Sequence, residues 1–177
     1  IAADRHNATF QSDIAATHHF LGVSLSSSGE HAKAMEYLER AIENRRGALR
    51  SDPRDARSKI MLAGTYSEVG EALLRAGKAA AAAESAEAAV SLESEVLAND
   101  PGGVPVRISL ARFEARLGHA RSAAGNCAGA DEAFRSAVAL FDDLAKQGHL
   151  RSQTLRQEGE RARAALGKCG GGRKSSR

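Results

Sequence analysis

A 48-residue recurrence constrains this chain more than any single motif. Gly22, Gly29 and Pro53 return one period later as Gly70, Gly77 and Pro101, and Asp4, Asp52 and Asp100 keep the same interval. A fixed period of this size means stacked supersecondary units, each burying one face against the next.

Between these marks, apolar residues recur every three or four positions, the spacing of a helix face. Phe10, Ile14, His18, Leu21 and Leu25 predict a first helix from about Thr9 to Ser28. Ala34, Met35, Leu38, Ala41, Ile42 and Leu49 predict a second from Glu30 to about Arg50. Gly29 suits the left-handed turn that ends a helix. Asp52 offers a cap to the next helix, and Pro53 lacks an N–H where none is needed. Leu62, Tyr66, Val69 and Leu73, then Ala82, Ala83, Ala86, Ala89, Val90 and Leu97, repeat the scheme.

Gly102-Gly103-Val104-Pro105 opens a third unit, carried on by Val106, Leu110, Leu117 and Gly118. There the register is expected to slip. Ala133, Phe134, Ala137, Leu140 and Phe141 echo Ala82, Ala83, Ala86, Ala89 and Val90 at an interval of 51, which places an insertion near Gly125-Asn126-Cys127. Glu114 also weakens the core position held by His18 and Tyr66. The third unit is therefore where an ideal stack is expected to fail.

These patterns predict an all-α solenoid of three elongated helical hairpins (9–53, 54–101 and 102–148) with a capping helix over 149–168. Residues 1–8 read as the tail of a preceding unit and 169–177 as a disordered tail. The start Ile1-Ala2-Ala3-Asp4 has neither Met nor a signal-peptide pattern and is expected to be a cut inside a longer protein.

Aromatics make up only 4% of the chain and Trp is absent, so the core must come from Ala, Leu, Val and Ile. Small residues suit closely packed helices. A net charge of +3 from 25 basic and 22 acidic residues gives no dense basic field, which argues against nucleic acid as a partner. No apolar run approaches the roughly 20 residues that span a bilayer, so no membrane insertion and a cytoplasmic location are expected. Cys127 and Cys169 are far apart, with no CxxC spacing or His pair at ligand spacing, and read as two free thiols.

Chemistry is hard to place. His18 and His19 are adjacent, so on a helix they point about 100° apart and do not easily share a metal. Asp142-Asp143 and the Glu93/Glu95 pair read as solvated faces. Ser26-Ser27-Ser28 lacks a partner base. No catalytic residue, metal or cofactor is expected.

Leu21-Gly22, Leu25, Gly29, Ala34, Leu38 and Ala41, matched by Val69-Gly70, Leu73, Gly77, Ala82, Ala86 and Ala89, resemble the tetratricopeptide repeat. That family's unit is shorter, at about 34 residues. The extra residues lengthen both helices to about 20 residues, or roughly 30 Å. Elongated units with an Asp-Pro boundary also resemble the arrays that follow the catalytic domain of bacterial eukaryotic-type Ser/Thr protein kinases. The chain itself has no Gly-rich phosphate loop, His-Arg-Asp or Asp-Phe-Gly.

The resemblance implies a concave groove, lined by the first helix of each unit, that binds a protein or peptide. Carried over position by position, the groove residues are His19, Phe20, Val23 and Ser26, then Ser67, Glu68, Glu71 and Arg75, then Arg112, Arg116 and His119. The family's Lys/Asn clamp for a terminal carboxylate is missing, which implies a longer peptide or a folded partner. The expected function is a non-catalytic interaction scaffold. The competing reading is a helical ligand-sensing or dimerisation domain, and self-association could cover the first helix.

Overall fold

A computed structural model describes residues 2–169, with side chains from Phe10 onward. Its described residues form α1 (Ala2–Ser27), α2 (His31–Ser51), α3 (Ala56–Arg75), α4 (Ala79–Asn99), α5 (Val104–Ala123), α6 (Cys127–Lys146) and α7 (Gln153–Ala165). The helices pair in order as three hairpins, α1 with α2, α3 with α4 and α5 with α6, and α7 packs on α6. This is the all-α solenoid with a terminal cap. None of the helices is long and apolar enough to cross a membrane.

Each hairpin turn is built the same way. Gly29, Gly77 and Gly125 take φ values of 87°, 74° and 83°, a left-handed conformation that a Cβ would strain. Around each, two backbone bonds close the helix end. Glu30, Lys78 and Asn126 donate to the carbonyls of Leu25, Leu73 and Arg121, all at 2.9 Å. The glycine N–H groups donate to Ser26, Leu74 and Ser122. This paired pattern satisfies carbonyls that the helix itself leaves free. The cap at the next unit differs from expectation. Asp55, not Asp52, caps α3 by accepting from Arg57 N–H at 3.0 Å, while Asp52 closes the turn through Arg54 N–H. The Ser58 hydroxyl, also bonded to Asp55, holds that carboxyl below its usual pKa.

The expected slip in the third unit does not occur. Gly125 follows Gly77 at the same interval at which Gly77 follows Gly29, and α6 begins as far after α4 as α4 does after α2. The true counterparts of Ala82, Ala86 and Ala89 are Ala130, Phe134 and Ala137, all buried. The longer interval arises from matching Ala to Ala. In the third unit the small residue at the crossing is replaced by Phe134, and Gly118 makes the room. A Cβ on Gly118 would lie 2.7 Å from the Phe134 ring, just as one on Gly22 would lie 2.6 Å from Leu38.

Two further expectations are corrected. The first helix starts at Ala2 rather than Thr9, so residues 2–8 run straight into it instead of ending a preceding unit. Cys127 and Cys169 are not free thiols: they form a disulfide with Cα atoms 5.1 Å apart, joining the start of α6 to the segment after α7. Cys169 thus belongs to the fold. The rest of the expected disordered tail, 170–177, lies outside the described residues.

Among the described residues the buried apolar clusters run from α3 to α7. Phe113 packs with Ala63 and Ala89. Leu117 packs with Ala86 and Ala133. Phe134, Ala130 and Ala137 pack with Ala162 of α7. The first junction is instead polar. Arg45 of α2 is buried and donates to the Thr65 hydroxyl and the Met61 carbonyl of α3.

Candidate partner-binding groove

The first helices α1, α3 and α5 touch their neighbours directly, whereas the second helices do not pair with one another in this way. The stack therefore curves with its first helices inside. The common repeat period lines up rows of side chains across units on that face: Phe20, Glu68 and Arg116 in one row, Val23, Glu71 and His119 in another.

Opposite charges meet across these rows. Arg116 donates to Ser67 Oγ at 2.5 Å and Glu68 Oε1 at 3.0 Å, and its Nε lies 3.6 Å from Glu71 Oε1. Arg75 donates to Ser26 Oγ at 3.0 Å and pairs with Glu71 at 3.4 Å. Arg112 grips Glu158 of α7 with two bonds, at 2.7 and 3.1 Å. The structure thus draws most of the expected groove residues together, but against one another. Ser26 and Ser67 are buried and act as acceptors inside the stack, so neither faces a partner. His19 Nδ1 lies 3.4 Å from the Thr65 hydroxyl. Burial first, then the Arg45 guanidinium, holds its pKa below the usual imidazole value. Phe20 is 70% exposed. Val23 is half-buried, and His119 is exposed with its ring edge-on to Phe134.

Where α3, α5 and α7 converge there is a cavity of about 500 Å³. Phe113 and Phe141 form its apolar wall; Arg112, Arg116 and Arg161 bring positive charge and Glu68 and Glu158 negative charge, while partial burial holds the His119 imidazole below its usual pKa. Among the described residues Arg161 makes no ion pair, so its guanidinium can take an acidic group from outside. Sequence reasoning missed Glu158, Arg161 and both rings. The signal was there: α7 starts almost one repeat period after α5, in the place of a fourth unit's first helix, so its side chains share the inner face.

No group of three His, Cys, Asp or Glu among the described residues could hold a metal ion. His18 lies against Tyr37, with ring centroids 5.9 Å apart.

Fold and face together define a helical-repeat protein built from long hairpins. Residues 15–47, centred on the first hairpin turn, match the tetratricopeptide repeat family. The matched stretch covers the turn-proximal parts of α1 and α2, and both helices run beyond it. Among solved structures, the de novo designed helical repeat protein DHR64 is similar at 15% identity and a TM-score of 0.42, over 90% of this chain and 79% of that one. A comparison with curated proteins gives no match.

Proposed function

We propose that this chain is a non-catalytic scaffold that binds a protein or peptide along its inner face. The observation that carries this is the cavity between α5 and α7, where the Arg161 guanidinium, without an ion pair among the described residues, stands near two aromatic rings. An acidic side chain with an apolar stem fits such a site, with ordered helices presenting it at little conformational cost. The elongated units and Asp-Pro boundaries further support a place as the C-terminal repeat module of a bacterial signalling protein such as a Ser/Thr kinase.

The compartment is better read from the cysteines. A disulfide joining α6 to the end of the cap fits an oxidising compartment more readily than the cytoplasm.

The test is a peptide-library selection followed by amide chemical-shift mapping. Shifts should cluster on the inner faces of α3, α5 and α7, and Arg161→Glu with His119→Ala should weaken the selected peptide about tenfold or more. These two residues are the clean probes, because Glu68, Glu71, Arg112 and Arg116 also hold helices together. Shifts confined to the outer helices would sink the reading.

One observation favours the alternative, a small-molecule sensor. A cleft of about 590 Å³ opens between α2 and α3, lined by Met35, Ile42, Tyr66, Val69 and Leu73. It lies away from the inner face, and an apolar ligand that raised the melting temperature while leaving peptide binding untouched would assign it that role.

A further inference from the structure

The cleft of about 590 Å³ beside α2 has an internal comparison one repeat period later. In the cleft, Met35 and Ile42 of α2 face Tyr66, Val69 and Leu73 of α3, with Ser85 of α4 beside them. The same place in the next unit is filled. Ala83, Val90 and Leu117, the counterparts of Met35, Ile42 and Val69, pack together with Ala133, the counterpart of Ser85. Arg121 stands where Leu73 does and pairs at 2.6 Å with Glu87, the counterpart of Glu39.

The charges change with the space. Arg46 and Arg50 line the open cleft, and their counterparts beside the filled one are Ser94 and Ala98. The arginine pair thus accompanies the opening and is absent where the opening is closed. Among the described residues neither arginine makes an ion pair.

Charge is also segregated along the cleft. Glu39 and Glu43 line one stretch of α2, and Arg46 and Arg50 line the stretch that follows. Arg46 Cζ lies 5.6 Å from the centre of the Tyr66 ring, and its guanidinium donates to the Tyr66 hydroxyl oxygen. That hydroxyl keeps its own proton free to donate. Arg50 Nη2 lies 3.5 Å from where a Cβ on Gly47 would stand, so its guanidinium folds back along α2 toward Arg46. Donors therefore gather at one end of an apolar floor. A carboxylate can take two-pronged bonds from such a group. Glu39 and Glu43 repel an anion from the other end, so they set the direction in which it lies.

We propose that this cleft binds an amphipathic carboxylate of the fatty-acid type. Its head would rest on Arg46, Arg50 and the Tyr66 hydroxyl, and its chain over Ile42, Val69, Leu73 and Met35. The proposal rests on the second reading above, a ligand cleft, and is independent of the inner-face reading. From Arg46 to Met35 the floor runs about 16 Å along α2, and the volume falls in the range of small-molecule sites. A ligand there touches α2 and α3 together, so it should stabilise their junction by mass action.

Titration calorimetry of the full chain with decanoate, kept well below micelle-forming concentration, tests this. One decanoate should bind per chain, about tenfold or more tighter than decanol or decylammonium. Arg46→Gln with Arg50→Gln should bring decanoate down to the affinity of decanol and leave decanol unchanged, with the melting temperature retained because both arginines are exposed. Ile42→Glu should weaken decanoate and decanol alike. Ser94→Arg with Ala98→Arg should create no second site, because the groove there is filled. Peptide binding scored through Arg161 and His119 should be the same with and without decanoate. Decanol or decylammonium binding as tightly as decanoate would overturn the proposal and leave the ligand cleft standing, and so would decanoate binding that survives loss of both arginines. Failure of all three probes to bind would remove the ligand cleft as well. Binding to anionic phospholipid vesicles without binding of free decanoate would overturn the proposal in favour of a membrane-facing patch.

Discussion

The two internal junctions occupy the same place in the repeat and are built from opposite materials. At the first, buried Arg45 reaches from α2 to the Thr65 hydroxyl and the Met61 carbonyl of α3. At the second, the counterpart of Arg45 is Glu93, wholly buried, with the Ser109 hydroxyl near its carboxyl but no group within close hydrogen-bonding geometry of either oxygen. The counterpart of Thr65 is Phe113, packed on Ala63 and Ala89. The counterparts of Met35 and Ile42, which line an open cleft, are Ala83 and Val90, which pack against the Leu117 cluster. Yet the helix starts keep the same interval through both. The frame is thus fixed within each hairpin, by the glycine turns and close crossings, and junction chemistry is free to vary. Stability should then be uneven along the stack, with the amino-terminal unit opening first.

The largest test removes the feature that only the carboxy-terminal end has. The disulfide spans 42 residues, and constraining a loop of that length is worth about 4 kcal/mol in the chain-entropy account. Cys169→Ser should lower unfolding stability by roughly that amount, measured by denaturant titration. Hydrogen exchange should show α7 and α6 losing their advantage over α1 and α2. If exchange in α6 is unaffected, the disulfide is not what makes the two ends differ.

Next in size is the direct contrast at one repeat position. Phe113→Ala should cost about 3 kcal/mol, since it leaves a cavity where an aromatic ring filled the junction. Thr65→Ala should cost less, about 1.5 kcal/mol, for a lost hydrogen bond to a charged group. Equal costs would mean that the polar junction is as firmly packed as the apolar one.

How far this contrast can be read from sequence follows from what each part depends on. The period, the hairpins, their turns and the cap were legible because they rest on local signals: glycine where φ is positive, and apolar spacing along single helices. The continuity of the third unit was not, because Phe134 for Ala86 is a change of volume that only its partner Gly118 explains. The disulfide was missed for a similar reason, since proximity across 42 residues has no local mark. The expected groove positions fall on α1, α3 and α5, but the contacts they make with one another were hidden. Nothing in Arg116 alone says that it will be held by Ser67 and Glu68 of the preceding unit. Arg45 and Glu93, buried at equivalent positions, read as surface charges on their helices until a neighbour covers them.

The pH dependence separates those two buried groups. Burial pushes Glu93 from 4.5 up to about 7, partly offset by the nearby Ser109 hydroxyl. Below about pH 4.5 the acid is neutral in both states and its full contribution to stability is present. As pH rises from there to about 7, the unfolded chain ionises while the folded chain keeps its proton, so stability falls. The loss approaches about 3 kcal/mol. Glu93→Gln should flatten this slope and raise stability at neutral pH, read from melting curves across the range. A smaller slope should remain from Glu114, half-buried and also pushed to about 7 by burial. Arg45 stays charged through this window; His19 beside it, its pKa lowered by burial and by Arg45, should give the first junction a dependence of opposite sign, losing stability as pH falls below 6.5. A slope unchanged by Glu93→Gln would remove the proposed asymmetry.

The smallest expected effect concerns the ion pairs of the inner face, and it decides how the groove can be tested at all. Arg112 and Glu158 are joined by two bonds, but both side chains are partly open to water, with 44% and 29% of their surface exposed. A pair in that setting should contribute under about 1 kcal/mol, less at high salt. A double-mutant cycle of Arg112→Met and Glu158→Gln should therefore give a small, salt-sensitive coupling. Apolar packing around Phe134 and Ala162, together with the disulfide, would then hold the cap in place, and losses of peptide binding on changing this pair could be read as recognition. A coupling above about 2 kcal/mol would reverse the picture. Charge would then be holding the carboxy-terminal end as Arg45 holds the first junction, and the contrast between the two halves would shrink to the choice of which residues carry it.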